Sequence, residues 1–349
     1  LVSETYLPFI AGVSTSTDSI AHFMADNGHT VFLICPTPII TEPEPKHPNI
    51  HIVHTPSVPD PTYRGKPMTI FPFGFMAIYR VLTTQLIDIV HIQEPGSLGV
   101  CALLASRLTK KPVVGALHFT PDQVSLMLHW LPSSIIISIT KKFIRTIYNF
   151  YTAIMVPTET FASFLKHIGV TRPVCVVSNG VDTNLYTPVK DNAATRKKLH
   201  LAPGACAFLF IGRLDRDKNV QAIISALPHT NTHVRLMISG AGKEDAALKN
   251  LAADLGVEKR IIWTGYADQQ KMLDLYHGAD CFIIMALYEV QSIVTLQALA
   301  CGLPVIAAAA GAGGMSPSAR SRPSRIRIAV GSSTKSPFFF REAEGSVGN

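Results

Sequence analysis

No apolar run in this chain approaches the ~20 residues that a membrane-spanning helix requires; the densest, 135–139, is far too short. Nor does the chain open with the charged, apolar and small-residue zones of a secretory leader. It begins inside a strand-like segment without an initiator Met, so a few residues are expected to precede it. The six cysteines (Cys35, Cys101, Cys175, Cys206, Cys281, Cys301) form no CxxC pair and no cluster with His, which argues against a disulfide framework or a zinc site. Buried, reduced thiols in a cytosolic protein are expected instead. Charged residues are scarce, 16% against 47% hydrophobic, a balance that excludes a disordered chain or a coiled coil. No Asp-x-Asp cluster is expected to hold a metal. A net charge of +7 and pI near 9.1 point to an anionic partner. Part of that excess, Arg320, Arg322, Arg325 and Arg327, lies in a C-terminal stretch of different character. A nucleic-acid binder would interleave aromatic and basic residues on one surface, and the chain shows no such pattern.

What the chain does have is alternation. Strand-like runs at 30–35, 50–54, 87–92, 112–117, 153–156 and 174–178 enclose helix-like segments such as 16–27 and 97–108. The Pro-rich stretch 36–48 reads as a surface excursion. Turn-forming residues at 179–191 mark a boundary, after which strands at 207–211, 234–239, 261–264, 281–285 and 305–308 alternate with helices at 219–227, 244–255, 269–277 and 293–300. This predicts an α/β protein of two Rossmann-like, doubly wound domains facing a cleft: 1–185, then 186–310. Beyond Ala310 helical period and core residues give out, so 311–349 is expected to be a disordered or foreign tail and the second domain incomplete.

Two segments carry chemistry. In 208–219 a buried strand ends at Gly212, followed by Arg213 and Lys218; a strand-end glycine admits a ligand closely and two cations suit a diphosphate. A solvated basic loop is the alternative. In 285–305 a strand gives way to Glu289 and then to a helix starting near Ser292, whose first N–H groups are available to an anion. Ser292 as an ordinary N-cap and Gln297 as a surface residue are the alternatives there. Ser239-Gly-Ala-Gly-Lys243 lacks the third spaced glycine of a dinucleotide fingerprint and falls after the wrong strand for one.

Together these segments resemble glycosyltransferase family 4, retaining enzymes of the GT-B fold. The resemblance runs from about Val2 to Ala308 through Gly212-Arg-Leu-Asp-Arg-Asp-Lys-Asn219, Asn179-Gly-Val-Asp182, Ser239-Gly-Ala-Gly-Lys-Glu244 and Ala300-Cys-Gly-Leu-Pro-Val305. The loop 6–14, containing Gly12, looks like the family's first glycine loop and is implied to meet the donor. The resemblance implies that Arg213 and Lys218 bind the donor diphosphate and that Glu289 contacts sugar hydroxyls. The backbone of Ser292 and Ile293 would face phosphate and sugar. His118 matches the active-site histidine, expected to support positive charge at the anomeric carbon. Gln297 stands where the family's second Glu meets the ribose; an amide keeps the hydrogen bond and loses the charge.

The implied reaction moves a hexose from a nucleotide-diphosphate sugar to an acceptor hydroxyl with retention, cations replacing a metal; no cofactor is predicted. Gln297 and the divergent tail, read as truncation or frame shift, also motivate a second reading: a catalytically impaired nucleotide-sugar-binding or scaffold protein. The segment 134–151 is amphipathic, with Ser138, Lys141, Lys142, Arg145 and Asn149 on one side and Ile136, Ile139, Phe143 and Ile147 on the other. Such a helix either lies on an anionic membrane or buries its apolar face in the domain. Trp130 and His129 lie nearby, and 118–132 resembles the lipid-glycosylating members. The expectation is thus a cytoplasmic protein, peripheral on the cytosolic membrane face, with diacylglycerol, a glycolipid or a saccharide as acceptor.

Overall fold

The computed structural model describes residues 1–9, 11–39, 47–60, 65–128, 130–286, 288–308, 326–329 and 340–342. Contacts divide the chain into two units, Leu1–Gly180 and Val181–Asn349. In the first, the parallel strands are β1 (Val31–Pro36), β2 (Ile50–Thr55), β5 (Val90–Ile92), β6 (Val113–Ala116), β7 (Ala153–Val156) and β8 (Val174–Val176). A short antiparallel ladder joins β3 (Ser57–Pro59) to β4 (Pro67–Thr69). Val2 bridges both Ile34 and Ile92 in parallel, so the opening segment lies between β1 and β5. The order is therefore β2, β1, the Val2 segment, β5, β6, β7, β8. Val2, Leu33, Ile92, Val113 and Ile154 are all buried, as strands covered on both faces require.

The covering helices of this unit are α1 (Gly12–Asp26), α2 (Phe73–Thr84), α3 (Ser97–Leu108), α4 (Pro121–Met127), α5 (Ser133–Tyr148) and α6 (Glu159–His167). Glu4, 4% exposed, ties the opening segment to β4 and α3. Its carboxylate accepts from Thr69 N at 2.8 Å, Leu98 N at 2.7 Å and Ser97 Oγ at 3.0 Å. Burial raises its pKa, and those hydrogen bonds oppose the rise.

The second unit orders its sheet β11 (Ile261–Gly265), β10 (Val234–Ser239), β9 (Cys206–Ile211), β12 (Cys281–Ile284), β13 (Val305–Ala308), all parallel. β14 (Ile326–Ala329) and β15 (Phe340–Glu342) extend it antiparallel. These two strands fall within the stretch read from sequence as a tail, most of which lies outside the described residues. Alternation along β9 explains the two-sided cover. Leu209 and Ile211 pack with Leu199 and Leu201, which follow α7 (Ala193–Lys198), and with α10 (Gln269–Gly278) and α11 (Ile293–Ala300), while Phe210 packs with α8 (Val220–Ala226) and α9 (Asp245–Asp254).

In both units the sheet grows one way from its first strand and then reverses to the other side. That reversal makes a topological switch point, where doubly wound sheets bind ligands. The Pro-rich stretch falls partly outside the described residues. Of the cysteines, Cys175 departs from expectation: it is exposed on β8, at the end of the sheet.

Candidate functional site

In the second unit the switch point lies between β9 and β12, and the two chemistry-bearing segments follow those strands. Lys218 closes a 3₁₀ turn, Arg216–Lys218, beyond β9; Glu289 lies in the loop beyond β12. Lys218 Nζ donates to Glu289 Oε2 at 2.7 Å, so residues 71 apart in sequence meet across the switch point. Asp217 Oδ2 is 3.8 Å from Lys218 Nζ and 3.7 Å from Arg213 Nη2, while Arg213 Nη1 donates to Asp215. Asp215 and Asp217 form an Asp-x-Asp pair that the sequence reading passed over. Their carboxylates pair with Arg213 and Lys218, and the described residues hold no group of three or more metal-ligating side chains. The five groups carry two positive and three negative formal charges, so neither cation is bare. Lys218 has three donors and spends one on Glu289, which leaves capacity for a phosphate oxygen.

The loop after β10 supports this arrangement. Leu214 N donates to Ala241 O at 2.9 Å, Glu244 N to Leu214 O at 2.9 Å and Lys243 N to Asp215 Oδ1 at 3.2 Å. Two glycines permit the approach: a Cβ on Gly240 would stand 1.8 Å from Gly212 O, and one on Gly242 2.3 Å from Leu214 O. The Ser-Gly-Ala-Gly-Lys motif thus braces the Arg213–Lys218 loop from behind. Gly212 supplies the carbonyl oxygen that Gly240 packs against.

Ser292 caps α11, its Oγ accepting from Thr295 N at 3.3 Å; Ile293 is the first residue of the helix. Gln297 corrects one expectation. It is 7% exposed, not a surface residue, and its Oε1 accepts from Tyr276 Oη at 3.0 Å. The same hydroxyl lies 3.1 Å from Val294 O, its one proton shared between the two acceptors, so the pair anchors α11 to α10.

In the first unit, His118 follows β6 and Nε2 lies 3.1 Å from Gln93 Oε1, which sets Nε2 as the protonated nitrogen. Gln93 is fully buried, and its amide reaches His91, whose pKa burial lowers to about 3. Burial lowers that of His118 too, and Glu94 opposes the shift, so this imidazole is neutral near pH 7. Gly12 opens α1, and a Cβ added there would meet no atom within 4 Å.

The comparisons with known proteins fit this architecture. Residues 10–185 match the model described as Glycosyltransferase Family 4, and 191–316 that of Glycosyl transferases group 1. The chain belongs to glycosyltransferase family 4. It is 26% identical to an alpha-monoglucosyldiacylglycerol synthase of Streptococcus pneumoniae, over 88% of this chain and 70% of that protein. To a GDP-mannose-dependent alpha-mannosyltransferase of Corynebacterium glutamicum it is 25% identical, over 89% and 72%. Anabaena HepE, solved with UDP and glucose, superposes with a TM-score of 0.68 at 18% identity, over 89% of this chain and 81% of that one. This family 4 glycosyltransferase accordingly has the GT-B fold.

Helix α5 of the glycosyltransferase departs from the two-sided pattern read in sequence. Its buried stripe is Ile136, Thr140, Ile144 and Tyr148, fixed by Tyr148 Oη donating to Ala116 O at 2.6 Å. Ile136 is inside as expected, but Ile139 is 62% and Phe143 39% exposed. With Leu131 and Ile135 they form an exposed apolar row at four-residue spacing, close in sequence to Trp130. Lys142 and Arg145 are exposed and Lys141 half-buried. Asn149 holds the 169–171 loop through Gly169 and Thr171. His129 lies outside the described residues, among which no helix is long and apolar enough to cross a membrane.

Proposed function

We propose that this glycosyltransferase moves a hexose from a nucleotide-diphosphate sugar to an acceptor hydroxyl with retention. The single observation that carries the reading is the Lys218–Glu289 contact at the switch point of the second unit. A departing nucleoside diphosphate gains negative charge; Arg213 and Lys218 are placed to stabilise it, and the uncapped N–H groups at Ser292 and Ile293 add their dipoles. Glu289 takes the sugar hydroxyls. Gln297 already spends an Oε1 lone pair on Tyr276, so part of its role is to hold α11 in position. His118, neutral, is the group assigned to the positive charge developing at the anomeric carbon. Among the described residues no atom lies within 4 Å of a Cβ built on Gly12, which leaves room for the donor contact assigned to it. No metal is called for, because the loop's carboxylates are already paired with its cations.

UDP-glucose and GDP-mannose are the first donors to try, from the relatives and neighbours above. A true donor raises the melting temperature at saturating concentration and is consumed with acceptor; no stabilisation by any nucleotide sugar sinks the assignment. Stabilisation without turnover would instead favour the impaired, scaffold-type reading.

The acceptor is proposed to be a membrane lipid, such as diacylglycerol or a glycolipid, met at the cytosolic face. The exposed row of α5 with Lys141, Lys142 and Arg145 beside it is what a helix lying on an anionic bilayer offers. Wild-type protein is expected to sediment with anionic vesicles at low salt, and Ile139→Glu/Phe143→Glu to lose at least tenfold in that binding. Equal binding of both proteins removes the helix from the account.

A further inference from the structure

The switch point of the first unit lies between the Val2 segment and β5; beyond β5 Gln93 meets His118, while the carboxylates there have been given no ligand. Two carboxylates stand at these strand tips. All the acceptors of Glu4 are engaged by backbone and serine donors, as a structural clamp requires. Glu94 differs. Its Oε1 accepts from Thr5 Oγ1 at 3.0 Å, across the switch point, and lies 3.9 Å from Lys66 Nζ. Its Oε2 is buried and has no hydrogen-bond partner among the described residues. A carboxylate oxygen withdrawn from water and left unsatisfied is a cost that a folded chain tolerates where a ligand completes it.

We infer that Glu94 Oε2 receives a hydrogen bond from the acceptor, orienting a neutral polyol: a glycerol or sugar hydroxyl rather than a phosphorylated one. The sign of the site sets this preference. Glu4 lies close enough to Glu94 for their charges to repel, and among the described residues Lys66 is the cation paired with them, so an anionic headgroup is disfavoured. Thr5 and Lys66 hold one oxygen, which aims the other. Glu94 is thus an acceptor-binding residue of the first unit, as Lys218 is a donor-binding one of the second. The inference rests on the transferase reading, with nucleotide binding as the check that separates the two.

The test uses the full chain with whichever of UDP-glucose and GDP-mannose stabilises it, dioleoylglycerol in mixed micelles, and methyl α-glucoside as a water-soluble acceptor. Glu94→Gln is expected to raise the KM of the acceptor that the wild type uses by tenfold or more. The donor KM and the stabilisation by donor stay unchanged, because the Gln still accepts from Thr5 but loses the charge. Glu94→Asp, which withdraws the charge, gives the same split. The unliganded Gln variant melts no lower than wild type. Use of dioleoylglycerol alone marks a lipid source for the hydroxyl, and use of the glucoside a saccharide source. An unchanged acceptor KM in Glu94→Gln, or a lowered melting temperature marking the side chain as structural, overturns the inference. So does a wild type that binds donor but transfers to neither acceptor, whereas failure to bind any donor removes the transferase reading itself.

Discussion

Lys218→Ala is expected to lower kcat about 100-fold or more, a loss of ~3 kcal/mol in transition-state stabilisation, comparable to removing one donor from an oxyanion site. The reason is positional. Lys218 is the cation that touches Glu289 across the switch point, and its side chain is only 14% exposed. Charge that develops on a departing diphosphate there is shielded less than it would be in water, so a fixed ammonium counts for more. Substitution also leaves Glu289 facing Asp217 without a cation between them, which adds repulsion to the lost attraction. Arg213 contributes through a different geometry, being held by Asp215 and Asp217, so Lys218→Arg is not a neutral exchange. Steady-state kinetics with the donor found by thermal stabilisation provide the measurement. Turnover by purified Lys218→Ala within threefold of wild type would dismiss the role assigned to it.

Gly240→Ala is expected to act on stability with similar force. The added methyl would meet the Gly212 carbonyl oxygen at 1.8 Å, and φ at Gly240 is +139°, where a side chain is strained even in open space. Overpacking costs about 1–3 kcal/mol and the disfavoured backbone about 1–2 more, so ~3 kcal/mol is the central expectation. For a unit of this size that lowers the melting temperature by roughly 6–12 °C. Gly12→Ala is the contrasting variant: its methyl meets no atom within 4 Å, so thermal stability should hold while donor turnover falls. Equal melting temperatures for Gly240→Ala and wild type would show that the loop does not brace its neighbour. Should Gly12→Ala retain full turnover, glycine at that position has no ligand-related cause.

Much of the fold could be read from one dimension. Strands such as Ala153–Val156, Val234–Ser239 and Val305–Ala308 are short β-branched or apolar runs, and burial on both faces makes them continuous in sequence. Helix α2 was not legible, because Phe73, Met76 and Tyr79 are exposed while Ile78 and Leu82 are buried, so no polar face marks a period. In α5 the same ambiguity ran the other way. Apolar residues lie on two sides of the helix, and the choice of the Ile136–Tyr148 stripe as the inner one came from the packing on β6.

The sequence by itself determined the alternation of strand and helix, which is written in local spacing, and carried the motifs beyond β9 and β12 through which the chain resembles its family. Only the tertiary structure decided which charges meet. Strand order brings Lys218 to Glu289 and Thr5 to Glu94, pairs 71 and 89 residues apart, and no local pattern encodes the crossover that sets two strand tips side by side.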